Sequence, residues 1–258
     1  MDTSPEELLS RLAAGLSEAL GDDLLSLSVH GSWVAGDFRP GRSDLDLMAV
    51  LARDPDEDTL ARLTAVHEAL ASAAPEWDNH VEVDYVSAAA VEAVLAGGGG
   101  EHSMVRISPG EPLHLLVADR HYVLNWRAAR DHDHAIVGRS PRDVLPPIPD
   151  DLVRKVVVEH ARQWPAWLGE ARSPGFQAYA VLTMCRVLAL LRTGRQWSKH
   201  QAALSEQELM PEWRGLIRWA DDWWYGDGSD AAPQRLDDVT AFVLLASQLA
   251  VERYGQAC

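Results

Sequence analysis

The chain has 258 residues, 47% of them hydrophobic and 24% charged, a globular composition with length for one large domain or two modest ones. Its formal net charge of -16 repels phosphate backbones, excludes stable nucleic-acid binding and favours cationic partners. The two cysteines, Cys185 in an apolar pattern and Cys258 at the end, offer neither a zinc spacing nor a disulfide framework and fit a reducing cytoplasm. The opening "MDTSPEELLSRLAAGL" is acidic and is no signal peptide, and no apolar run approaches a membrane span, so no membrane association is expected.

Residues 4–20 predict a helix, with Ser4 as cap, Pro5 in the first turn and Leu8, Leu9, Leu12 and Leu16 as its apolar stripe. "LLSLSVH" alternates at Leu25, Leu27 and Val29 and predicts a strand. "GSWVAGDFRPGRSDLDL" (31–47) follows, a Gly-Ser turn and loop feeding a largely apolar, central strand "LDLMAVLA". "DEDTLARLTAVHEALASAA" is an amphipathic helix and "HVEVDYVS" a third strand. A short helix at 88–96 runs into the flexible "GGGG" of 97–100; "EPLHLLVADR" predicts an edge strand and "HYVLNWRAARDHD" a helix. The proline-rich "PRDVLPPIPDD" marks a boundary, and beyond it the pattern is all-helical, with a stop at Gly194. The expected class is α+β: a mixed sheet with flanking helices in residues 1–148, then an all-α helical bundle in 149–258.

Asp44 and Asp46 lie two apart on a strand, so both project from one face. Glu82 and Asp84 repeat the arrangement on the third strand, opposite Val81, Val83 and Tyr85. If the two strands are neighbours, three or four carboxylates share a face, a site for hard divalent cations such as Mg²⁺ together with substrate phosphates. A pair of such ions can clamp an in-line phosphoryl or nucleotidyl displacement. Gly31 lets backbone approach a phosphate, and the Ser32 hydroxyl can donate to it. The ordered set, strand, Gly-Ser, Ser-Asp-x-Asp-Leu, helix, then apolar-Glu-apolar-Asp, is far more specific than either half alone.

That set resembles the nucleotidyltransferase superfamily of DNA polymerase beta type. Over most of the chain the order of elements resembles the aminoglycoside adenylyltransferases that act on the 3″ hydroxyl of streptomycin and the 9 hydroxyl of spectinomycin. "GSWVAGDFRPGRSDLDL" is similar to their Gly-Ser loop with one residue more, and "HVEVDYV" to their strand with the catalytic glutamate. "RAARDHDHAIVGRSPRDVLPPIPDDL" resembles their interdomain linker, and "AVLTMCRVLALLRTGRQWSKHQAA" their helix and lysine loop. The resemblance implies Asp44 and Asp46 as catalytic metal ligands and Glu82 as the base, with Asp84 an alternative ligand or base. It implies Gly31, Ser32, Ser43, Arg186 and Lys199 as nucleotide contacts, and Trp167, His102 (of Gly100-Glu101-His102) and Glu82 as acceptor contacts. The implied reaction uses Mg²⁺, two ions being expected, and moves AMP from ATP to a small cationic acceptor in the cytoplasm, in a monomer or weak dimer. The alternatives are a same-fold enzyme adenylylating a protein or RNA, and a non-catalytic nucleotide-sensing or antitoxin-like module.

The aspartates that hold streptomycin's cationic groups in the family are absent; "ARSPGF" offers Arg172 and Phe176, so the acceptor pocket is expected to differ. Arg186 sits between Cys185 and Val187 inside an apolar helix, where a guanidinium needs a partner, and a phosphate would serve. "DHDH" (131–134) reads as a helix end whose imidazoles help cap carbonyls. The dense Trp213, Trp219, Trp223, Trp224 and Tyr225 read as core or interface.

Overall fold

The structure of the chain is a computed structural model that describes residues 3–98, 100–170 and 173–255. They form two compact units, Met1–Ile148 and Pro149–Cys258.

The first unit runs α1 (Pro5–Leu20), β1 (Leu24–His30), α2 (Gly31–Ala35), β2 (Leu45–Leu51), α3 (Glu57–Ala73) and β3 (Val81–Ser87). It continues with α4 (Ala88–Leu95), β4 (Ser103–Ser108), β5 (Glu111–Val117), α5 (Val123–His132), β6 (Ala135–Gly138) and α6 (Pro141–Val144). Ser4 caps α1 in a reciprocal box with Glu7, and Asp56 caps α3 by accepting from the Thr59 N–H. The strands lie in the order β5-β4-β3-β2-β1-β6. β2 and β3 are parallel, joined through α3, and the other pairings are antiparallel, so the sheet is mixed. As expected, the largely apolar β2 is internal and β5 an edge; β4, β6 and α2 are elements the sequence pattern does not announce.

Strand periodicity sorts the sheet into two faces. On one, Leu27, Leu45, Leu47, Ala49, Val83, Tyr85 and Val105 are buried with Leu8, Leu12 and Leu16 of α1 and Leu63 and Leu70 of α3. The opposite face carries His30, Asp46, Glu82, Asp84 and Arg106 at one end of the strands, and the buried Met48, Val50, Val86 and Met104 further along. α5 runs by β1 and β2, with Trp126 fully buried.

The second unit is helical: α7 (Asp150–Trp167), α8 (Pro174–Thr193), α9 (Lys199–Leu209), α10 (Arg214–Tyr225) and α11 (Leu236–Tyr254). α8 packs on all four of the others. Against expectation, α8 is long and apolar enough to cross a membrane by length and composition, but 72% of that window is buried, which is how a bundle's central helix passes the same test. Ser173 caps its start and Gly194, in the left-handed region at φ 71°, ends it.

Candidate active site on the charged sheet face

The register of β2 and β3 places Asp46 directly beside Glu82, and that of β1 and β2 places His30 on the other side of Asp46. Asp44, one alternation earlier than Asp46, receives His80 Nδ1 at 3.2 Å on its Oδ1. Gly31 begins α2 just after His30. Its φ is +67°, and a β-carbon there would fall 1.9 Å from Asp46 Oδ2, so both the backbone and the space demand glycine.

The expected Gly-Ser turn is instead the first turn of a short helix. Gly36, left-handed at φ 78°, closes α2 by donating to the Ser32 and Trp33 carbonyls. Trp33 meets Phe38 edge-on at 5.2 Å, and Phe38 stacks on Trp77 at 6.2 Å, which anchors the segment. Ser32 is half-buried in α2. Ser43 is buried, and its hydroxyl accepts from the Arg39 N–H at 3.0 Å, so it closes the loop before β2.

Beyond Glu82 the face is tied together by a cluster the sequence reading does not foresee. Arg106, paired in register with Asp84, reaches Asp84 Oδ1 with Nη1 and Glu82 Oε1 with Nη2 at 3.0 Å. Asn125 of α5 donates from Nδ2 to Glu82 Oε1 at 3.0 Å and to Asp84 Oδ2 at 3.2 Å. Burial pushes the Asp84 carboxyl up to about 6, against the pull of Arg106 and with the push of Glu82. Burial alone would lower the Arg106 guanidinium, but Asp84 and Glu82 outweigh it and hold it above its ordinary range. Both Asp84 oxygens thus face donors of this chain, a setting unlike the metal-ligand role expected of it.

Among the described residues no group of three or more His, Cys, Asp or Glu side chains is placed to hold a metal. Mg²⁺ does not need one, because it commonly takes one or two carboxylates and completes its shell with water and phosphate oxygens. Asp44 and Asp46, both half-buried, supply such a pair.

The remaining predicted residues are carried by other elements. His102 Nδ1 donates to Asp54 Oδ2 at 2.8 Å. In the helical unit, Trp167 is 39% exposed and packs against His160 and Trp164 with centroids 5.4 and 5.5 Å away. That aromatic row continues from Trp164 through Tyr179 to Trp224. Lys199 opens α9 after the Ser198 cap, its Nζ 4.1 Å from the Trp224 ring centroid and 5.0 Å from that of Tyr179. Arg186 is exposed, so the argument from a buried charge fails: it occupies a solvated strip of α8 with Tyr179, one heptad before it. Arg172 and Cys258 lie outside the described residues, as does Gly99 of the glycine run. "DHDH" does end a helix, with Asp133 left-handed at its C-cap.

Comparison with known proteins bears on the whole length. Residues 143–248 match the family described as aminoglycoside adenylyltransferase, C-terminal domain. Aminoglycoside (3'') (9) adenylyltransferases of Escherichia coli and of Klebsiella pneumoniae are each 25% identical, over 92% of this chain and 94% of theirs. The fold matches that of spectinomycin adenyltransferase AAD(9) from Enterococcus faecialis, solved with ATP and spectinomycin, at a TM-score of 0.76 and 16% identity, over 96% of this chain and 100% of that one. Residues 143–248 thus match the C-terminal domain of the aminoglycoside adenylyltransferases, and along nearly its full length the chain is similar to the aminoglycoside (3'')(9) enzymes.

Proposed function

We propose that this chain transfers AMP from ATP to a hydroxyl of a small aminoglycoside- or aminocyclitol-like molecule, releasing pyrophosphate and conferring antibiotic resistance. The observation that carries the reading is Asp46 set beside Glu82 on one sheet face, with Gly31 pressed against Asp46. Glu82 accepts the acceptor's hydroxyl proton as general base. The freed oxygen forms a bond to the α-phosphorus, and the bond from that phosphorus to the bridging oxygen breaks, so pyrophosphate leaves with the electron pair. Asp44 and Asp46 fit Mg²⁺, which when bound offsets phosphate charge and favours the leaving group. Asp84 keeps Arg106 in place rather than joining that pair.

Ser32 hydrogen-bonds the nucleotide phosphates, and Arg186 and Lys199 are the helical unit's phosphate contacts. Trp167 offers an exposed aromatic surface for the acceptor, and His102 contributes to acceptor recognition. Residues 1–148 then serve as the nucleotidyltransferase domain and 149–258 as the substrate-binding helical domain. An ATP-consuming transferase of this kind works in the cytoplasm, where ATP is supplied, as a monomer or weak dimer.

The test is incubation of the purified chain with ATP, Mg²⁺ and a panel including spectinomycin and streptomycin, read by pyrophosphate release and by mass. One AMP added to an antibiotic, lost on chelation with EDTA, is the expected result. Label from ATP on a protein or RNA instead, or ATP binding without pyrophosphate release across the panel, overturns it.

A further inference from the structure

Resting on that reading, we infer that Arg106 and Asn125 are positioning residues that hold Glu82 by one carboxylate oxygen, Oε1, and thereby assign proton acceptance to the other, Oε2. Two donors from two different elements converge on Oε1: Arg106 Nη2 from β4 at 3.0 Å and Asn125 Nδ2 from α5 at 3.0 Å. Among the described residues, no donor is placed on Oε2. A glutamate held this way loses the freedom of its last torsion, which is otherwise broad, so its second oxygen keeps a constant direction.

The clamp is itself braced. The side chain of Asp84 is 1% exposed, and it takes Arg106 Nη1 on one oxygen and Asn125 Nδ2 on the other. Arg106 Nε approaches Glu111 Oε2 at 3.7 Å, and the guanidinium lies 5.3 Å over the Tyr122 ring. The planar fork is therefore held through both terminal nitrogens and against an aromatic face. A lysine, a flexible point charge, would reproduce the charge without the fork.

A simple staple between β3 and β4 would need only the Arg106–Asp84 pair. The second nitrogen on Glu82, and an amide on a helix reaching the same Glu82 oxygen, serve no pairing of strands. They are what orienting a base requires, since a misplacement of about 1 Å can lower a rate roughly 100-fold.

The experiment measures AMP transfer by the full chain for wild type, Arg106→Ala, Arg106→Lys, Asn125→Ala and Glu82→Gln, with thermal melts for each. Expected is a fall in kcat of about 10- to 100-fold for Arg106→Ala and a smaller one for Asn125→Ala, with KM for ATP and acceptor within about threefold. Millimolar guanidinium, far below denaturing levels, should restore kcat of Arg106→Ala saturably, while Arg106→Lys recovers only part. A loss of stability alone would not be reversed by guanidinium. Should Arg106→Ala fail to fold, Asn125→Ala and Arg106→Lys carry the test. The inference is overturned if those variants keep kcat within twofold while Glu82→Gln is inactive, or if guanidinium restores nothing. A wild-type protein that transfers no AMP at all sinks the proposed activity itself, and this inference with it, a pattern distinct from the other two.

Discussion

The two faces of the six-stranded sheet are built from the same strands, alternate residues going to each, and they meet opposite requirements. One face buries Leu27, Leu47, Val83 and Tyr85 beneath α1 and α3. The other sets Asp46, Glu82, Asp84 and Arg106 side by side. Burial of apolar surface at roughly 25 cal/mol per Å² stabilises the unit through the first face, and on the second only through the far end, where Met48, Val50, Val86 and Met104 are buried. Neighbouring carboxylates that repel unless a cation intervenes make the second a liability without Arg106 and a ligand. The comparison teaches that stability and chemistry are separable here residue by residue, and substitutions on each face can test that separation.

The largest effect is expected on the charged face. Asp46→Asn and Glu82→Gln should each lower kcat by about 100- to 10,000-fold while the melting temperature stays within a few degrees, as read by turnover and calorimetry together. Near-normal turnover in either would break the assignment of chemistry to this face. Gly31→Ala tests the junction and should not respect the division. Its β-carbon would meet the Asp46 carboxylate and its φ of +67° disfavours any other residue, so activity should fall about 100-fold and stability with it.

On the apolar face, Leu63→Ala removes a fully buried side chain of α3 and should cost about 2–5 kcal/mol by denaturant titration. Turnover per folded molecule should be unchanged; a parallel loss of kcat would show the faces to be coupled. The smallest effect is a pH dependence belonging to the same face. Burial lowers the His67 pKa from 6.5 to about 4, and its Nε2 lies 2.7 Å from the Tyr85 hydroxyl. The folded state thus keeps His67 neutral where the unfolded chain would take up a proton. The stability it contributes is present above pH 6.5 and is lost as pH falls towards 4, by up to about 3 kcal/mol. His67→Phe should flatten that limb of the melting-temperature profile between pH 6.5 and 4.5, and an unchanged slope would reassign it.

How far the sequence reveals this division depends on the kind of signal. Glu82 was exposed by a period of two along β3, and Asp46 by the Asp-x-Asp spacing at the start of an otherwise apolar β2. Arg106 escaped, since "SMVRIS" lies in an ambiguous stretch and its importance comes from register with Asp84, which only strand pairing defines. Asn125 projects from a helix, and nothing local in "VLNWRAAR" says which carboxylates it will meet. α2 is five residues long, too short for a helical period, and Gly31 at its start with Gly36 at its C-cap imitates a turn. Arg186 misled for the opposite reason. α8 is buried on nearly every side, so the one solvated strip with Tyr179 and Arg186 hides within an apolar pattern.

The contact between Gly31 and Asp46 has a consequence for how such a protein can diverge. Every other residue at position 31 brings a β-carbon into the space that the aspartate occupies. Gradual drift at position 31 is thereby opposed while Asp46 remains. The order of change is thereby fixed: position 31 opens to other residues only in a lineage that has already surrendered the carboxylate at 46.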